Sequence, residues 1–147
     1  MPVQIGGLRN VSAQAPTLMT MTRQKVSSGS PFESDFGFSR AVRVDDRVVV
    51  AGTAPIWPDD FVDPDPKVQT RRCLEIMLTA LSEAGGLPED VVRTRMFITD
   101  ASDATAVGEA HGEVFSVIRP AATMIVVGGL LDERWKVEME LEAVLTG

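Results

Sequence analysis

The sequence predicts an α+β domain: a mixed β-sheet with two helices packed on one of its faces. Three features carry the prediction. Two stretches place apolar residues at helical spacing, Leu74, Met77, Leu78 and Leu81 in one and Val107, Ala110, Val114, Phe115 and Ile118 in the other. Both are flanked by short runs rich in Val, Ile and Phe, which suit a pleated, half-buried surface. Near the C-terminus Val137, Met139 and Leu141 alternate with Glu138, Glu140 and Glu142, the period-two pattern of a strand with one apolar face. Because each helix falls between strands, both can cover the same face of one sheet.

Residues 1–21 are polar and weakly patterned, and read as an N-terminal extension ahead of a single domain over residues 22–147. A short strand is expected over residues 23–26. Residues 36–44 and 47–54 form a hairpin around Asp45-Asp46, with Val48-Val49-Val50 at the centre of its second arm. Four prolines and four aspartates between Pro55 and Pro66 then exclude regular structure and make a long surface loop. Residues 67–84 are the first helix, ended by Gly85-Gly86. A strand follows over residues 91–99, and Asp100 to Asp103 cap the second helix, which Pro120 stops. Residues 121–127 are almost wholly apolar and predict a strand buried on both faces, before the closing strand that carries the glutamates.

Apolar residues such as Val48, Val50, Ile125 and Val127 cannot all lie under two helices, since alternate strand side chains point to opposite faces. A sheet apolar on both faces with helices on only one needs a partner, most simply another copy of itself. A chain of 147 residues with 44% hydrophobic content is the size of one domain and can bury a core unaided. A single cysteine, Cys73, excludes an internal disulfide and fits a reducing cytoplasm. No Cys/His cluster signals a metal site, and no apolar run reaches the roughly 20 residues of a membrane span. The net charge of −7 repels phosphate backbones, so no nucleic-acid partner is expected.

Several segments together resemble the Rid family, the YjgF-type reactive intermediate deaminases. They are Gly37-Phe38-Ser39-Arg40-Ala41-Val42, Val49 through Pro55, Gln69-Thr70, Ala84-Gly85-Gly86, Asp90-Val91-Val92, Phe97-Ile98-Thr99-Asp100, Arg119-Pro120-Ala121 and Val137 through Glu140. The likeness spans residues 36–143 in order and at compatible spacings. It implies a chorismate-mutase-like fold and a homotrimer whose sheets close into a central barrel, with sites in clefts between subunits. It further implies hydrolysis of enamines or imines to a keto acid and ammonia, with neither metal nor cofactor, and a small carboxylate or imine-like ligand. Glu138 matches the glutamate that orients the attacking water. Ala122 occupies the place of the arginine that grips the substrate carboxylate, Phe38 that of a tyrosine, and Gly108 that of an asparagine. The pocket implied is therefore altered, and is expected to involve Phe38, Gly52, Thr53, Arg119, Ala122 and Thr123 beside Glu138. Either the chain hydrolyses imines with a changed specificity or it is a ligand-binding trimer without turnover.

Read without the resemblance, Glu138 is either a water-positioning group or a structural carboxylate paired with a neighbouring arginine. Arg119, before a proline, is expected to be extended and to point away from the Ala122 face. Arg40 and Arg43 face opposite ways on one strand, so at most one of them reaches the cleft. His111, the chain's only histidine, reads as a core or interface residue with one satisfied nitrogen, and Cys73 as an inert thiol. Gly52 and Thr53 either offer backbone amides to a ligand or complete a bulge. Trp57 either lids a pocket or packs on a neighbouring subunit.

Overall fold

A computed structural model of the chain describes residues 22–147; the expected N-terminal extension lies outside the described residues. Six strands form one mixed sheet: β1 (Arg23–Val26), β2 (Ala41–Val44), β3 (Arg47–Thr53), β4 (Val91–Ile98), β5 (Ala121–Val126) and β6 (Val137–Val144), in the spatial order β1-β2-β3-β6-β4-β5. All neighbours are antiparallel except β4 and β5, which run parallel, as the crossover through the second long helix requires. The α+β class and the placement of helices on one sheet face are as expected from the sequence.

The helix α2 (Pro66–Glu83) starts one residue earlier than its apolar stripe suggests, because Asp65 caps it and Pro66 supplies a pre-set φ at its first turn. Its face of Cys73, Leu74, Met77, Ala80 and Leu81 is buried on the sheet, where it meets Val48, Val50, Met139 and Leu141. The shorter α3 (Ala104–Phe115) adds Val107, Ala110 and Phe115. Burying each large side chain of this layer is worth roughly 1.5–3 kcal/mol, so one contiguous core fixes both helices to a single face. Exposed pairs between the helices, Lys67–Glu109 at 3.0 Å and Arg71–Glu113 at 2.6 Å, add little by comparison.

Two expectations fail. Residues 36–44 are not one strand: α1 (Pro31–Phe36) occupies their start and β2 begins only at Ala41. Ser30 accepts from the amide of Phe32, Pro31 opens the helix, and Gly37 at φ 76° closes it in the left-handed region that glycine enters without a steric cost. The apolar run 121–127 is not buried on both faces either. It forms the sheet edge as β5, where Ala121, Ala122, Thr123, Ile125 and Val126 are exposed and only Met124 packs on the core. Apolar content records what a strand is built to bury against, and in one chain β5 has a neighbour on one side only.

The sheet face turned away from α2 and α3 stays open. It carries Val49, 48% exposed, and Ile125, 42% exposed, together with Arg95, Phe97 and the three glutamates of β6. Arg95 bridges Glu140 at 2.8 Å and Glu142 at 3.8 Å, which disposes of two of those carboxylates. Glu138 is left without that partner.

Candidate functional site

The site is built on a β-bulge. Val50 pairs with Leu141 and Thr53 with Met139, so β3 spends three steps where β6 spends two and Ala51-Gly52 together oppose one residue. The bulge pushes the Gly52 backbone onto Glu138: a Cβ at Gly52 would stand 3.4 Å from Glu138 Oε2. The backbone here takes no left-handed φ, and the close neighbour of Gly52 is the carboxylate itself. On the other side of the carboxylate, Phe97 is the β4 partner of Glu138. The Arg40 side chain reaches in from the start of β2, donating from Nη2 to the Gly52 carbonyl at 2.6 Å, with its Cζ 5.7 Å from the centre of the Phe38 ring. Phe38, Arg40, Gly52 and Glu138 are thereby brought into one cluster.

Burial raises the Glu138 carboxyl above the usual carboxylate range and the nearby Glu140 charge adds to that, while Arg40 pulls it down. Burial likewise lowers the Arg40 guanidinium, opposed by the charges of Glu33 and Glu138. Glu33 accepts from both the amide and the hydroxyl of Ser28; desolvation pushes its carboxyl up, but these hydrogen bonds outweigh it and the net shift is downward. Sequence reasoning passed over Glu33, although Ser30-Pro31-Phe32-Glu33 spells a helix-start signature. Two concavities flank the cluster. One of about 830 Å³ opens beside Phe38, Val42, Val49 and Ala51, and one of about 270 Å³ lies between Arg40, Arg72 and Thr79 of α2.

The other expected site residues lie elsewhere. Thr53 is 1% exposed, with its side chain under the helices and its hydroxyl donating to the Ala51 carbonyl at 2.8 Å. The extra residue of the bulge reverses the alternation, so Thr53 faces the core and not Glu138. Ala122 and Thr123 sit on β5, separated from β6 by β4. Arg119 is exposed and takes φ 54° instead of the extended conformation expected before proline, because its amide closes the end of α3 on the Phe115 carbonyl at 2.8 Å. Gly108, on α3, would bring a Cβ to 4.0 Å from the Met124 methyl on β5. The expected residues thus fall into two groups on separate strands, Glu138 with Gly52 and Phe38, and the β5 edge with Ala122 and Thr123.

His111 bonds Thr94 Oγ1 through Nε2 at 2.8 Å and lies against Phe115, and burial lowers its pKa. Cys73 is fully buried, which raises its thiol pKa steeply. Arg43 turns to the opposite sheet face, bonding the Ala84 and Asp45 carbonyls at 2.8 and 2.7 Å. Trp57 stacks edge-on with Phe61 in the proline-rich loop. Among the described residues no group of three or more His, Cys, Asp or Glu is arranged to hold a metal ion, and no helix is long and apolar enough to cross a membrane.

Gly52→Ala tests the close approach. The added methyl fits in ordinary contact, so stability should change by less than about 1 kcal/mol, while the Glu138 carboxyl loses solvent and its pKa should rise further. A carboxylate titration followed by NMR reads this shift; an unchanged Glu138 pKa would mean that the bulge leaves the carboxylate unaffected.

Comparison with known proteins gives concordant matches. The profile of the family described as "Endoribonuclease L-PSP" matches residues 30–145. A crystal structure of a Mycobacterium tuberculosis protein, a member of the highly conserved YjgF/YER057c/UK114 family, is similar at 44% identity and TM-score 0.78, covering 84% of this chain and 100% of that one. An uncharacterized Streptomyces coelicolor protein is 43% identical over 121 residues, 82% of this chain and 90% of its own. A Yersinia pestis protein of the conserved Rid family, YyfA, aligns at 26% identity and TM-score 0.73, over 84% of this chain and 100% of that one.

Proposed function

The chain belongs to the endoribonuclease L-PSP family and shares its fold with YjgF and Rid proteins, and from that premise we propose that it hydrolyses a small imine or enamine in clefts between the copies of a homotrimer. The observation that carries the reading is the Glu138 carboxylate: held against the Gly52 bulge, raised by burial, and not tied up by Arg95 as Glu140 is. A carboxylate raised in this way holds a proton more firmly than an ordinary glutamate, which suits a group that takes a proton and returns it. It accepts a proton from a water that attacks the carbon of the N-protonated imine, giving a neutral carbinolamine. It then returns that proton to nitrogen, and as the C–N bond breaks the carbinolamine hydroxyl gives up its own proton through the carboxylate to the departing nitrogen, so that a keto acid and ammonium leave. An enamine is first protonated at carbon to reach the same imine.

Assembly supports the reading as well. The open sheet face and the exposed β5 edge give each copy two unsatisfied surfaces. A neighbouring copy that brings its β5 edge to the bulge joins Ala122 and Thr123 to Glu138, Gly52 and Phe38, the set that the Rid resemblance implies. The net charge of −7 and a lone histidine already bonded to Thr94 argue against ribonuclease chemistry. A second reading, a ligand-binding trimer without turnover, is favoured by Ala122 alone, which offers neither charge nor donor. Ammonia release from freshly generated 2-iminopropanoate separates the two. Turnover is expected in the unmodified protein and not only in Ala122→Arg; no release from either would leave the binding protein.

A further inference from the structure

Arg40 is bonded unlike the arginines that carboxylates hold elsewhere in the fold. Arg71 is held by both oxygens of Glu113, Arg134 by Asp60 and Asp132, and Arg72 by the Ile56 carbonyl and Glu75. Arg40 makes one hydrogen bond, from Nη2 to the Gly52 carbonyl, and its Nε is the one buried side-chain nitrogen or oxygen among the described residues without a partner. The charges of Glu33 and Glu138 both act on it, yet the salt bridges among the described residues include none to Arg40. Glu33 is committed to Ser28. A guanidinium carries five N–H donors, and in half-buried Arg40 the Nε–H is shut off from water without an acceptor while the Nη groups stay accessible, an arrangement that favours an incoming acceptor with negative charge. Its planar fork suits a carboxylate, and the Phe38 ring supports its face.

We propose that Arg40, reaching the bulge from the residue before β2, is the group that binds the carboxylate of the ligand. The inference rests on the reading of Glu138 as the reacting carboxylate. The bond to Gly52 anchors the guanidinium at the bulge that Glu138 also touches, so a carboxylate held by Arg40 stands beside the group that activates water.

The test is calorimetric titration of the full chain with pyruvate, a product-like 2-oxo acid, and with pyruvamide, its uncharged counterpart. The unmodified protein should prefer pyruvate by about ten- to a hundredfold, the worth of a charge-assisted hydrogen bond. Arg40→Gln should lose that preference and keep its affinity for pyruvamide within about twofold, whereas Arg40→Lys should keep part of it. An unmodified protein that binds pyruvate no better than pyruvamide, or not at all, overturns the inference. So does an Arg40→Gln protein that weakens for both probes equally, which would mark Arg40 as a prop for the Gly52 carbonyl. Should Arg40→Gln fail to fold, the unmodified preference and the Arg40→Lys value decide the matter together. These titrations need no turnover: carboxylate preference without ammonia release sinks the hydrolysis reading alone, and ammonia release with the preference intact in Arg40→Gln sinks this inference alone.

Discussion

Glu138→Gln is expected to lower imine turnover by about two to four orders of magnitude, the range by which a positioned acid-base group accelerates proton transfer. Glutamine keeps the shape and cannot accept the proton, so substrate affinity should change far less than kcat. The unmodified protein should show activity rising with pH, because the ionised carboxylate is the working form. Its midpoint should lie above an ordinary glutamate's, since burial and Glu140 together outweigh Arg40. Stability has the opposite sign. A carboxyl whose pKa is raised by folding binds its proton more tightly in the native state, so stability falls as pH climbs from the unfolded value through the folded one. Glu138→Gln removes that penalty and should melt no lower than the parent at pH 7. A variant that retains more than half of the parent's kcat would dismiss Glu138 as the reacting group.

Gln69→Ala should cost about 3 kcal/mol of stability and lower Tm by about 10 °C. Gln69 is 0% exposed at the start of α2. Its Nε2 donates to the Asp63 carbonyl at 2.8 Å and the Arg134 carbonyl at 2.9 Å, and its Oε1 accepts from the Lys136 amide at 2.7 Å. One side-chain amide therefore ties the proline-rich loop to the segment that leads into β6. Truncation to alanine orphans three backbone groups at once and leaves a void beside them, two mechanisms that rarely coincide in one substitution. Thermal unfolding by circular dichroism checks the magnitude, and hydrogen exchange at the Lys136 amide checks the cause. A Tm within 2 °C of the parent would mean that water replaces the glutamine at little cost.

How much was legible in the sequence depends on what each pattern records. Alternation in β6 and the stripe of α2 name the buried face directly, because one side of each element meets the core and the other meets solvent. Helix α1 was hidden by Phe36 and Phe38: two aromatics two residues apart look like a strand face, while the decisive signals, Ser30, Pro31 and Gly37, lie at the margins of that run. The exposed position of β5 was hidden because hydrophobicity reports eventual burial without saying against which chain. Within the site, Glu138 and Gly52 were individually visible, and a bulge at Gly52 and Thr53 was one of two readings, but the contact between glycine and carboxylate depends on the register with β6, which one strand's sequence does not carry. The extra residue of the bulge also turns the Thr53 side chain into the core, beside the point where Arg40, just ahead of β2, meets the Gly52 carbonyl.

The last strand in the chain order lies in the middle of the sheet, between β3 and β4. Until it arrives, the β1-β2-β3 meander and the β4-α3-β5 unit share no strand pairing, and the first half of the sheet waits for partners about ninety residues downstream, such as Leu141 for Val50. Contacts of such long sequence separation are slow to form. On a ribosome, both halves would emerge with open edges, and β6 would close them in a single late event. The strand that completes the fold also carries Glu138, so the candidate site is completed by the same step that completes the sheet. A chain stalled before that point would hold most of the apolar core, with Phe38, Arg40 and Gly52 in place, and would lack the carboxylate of Glu138.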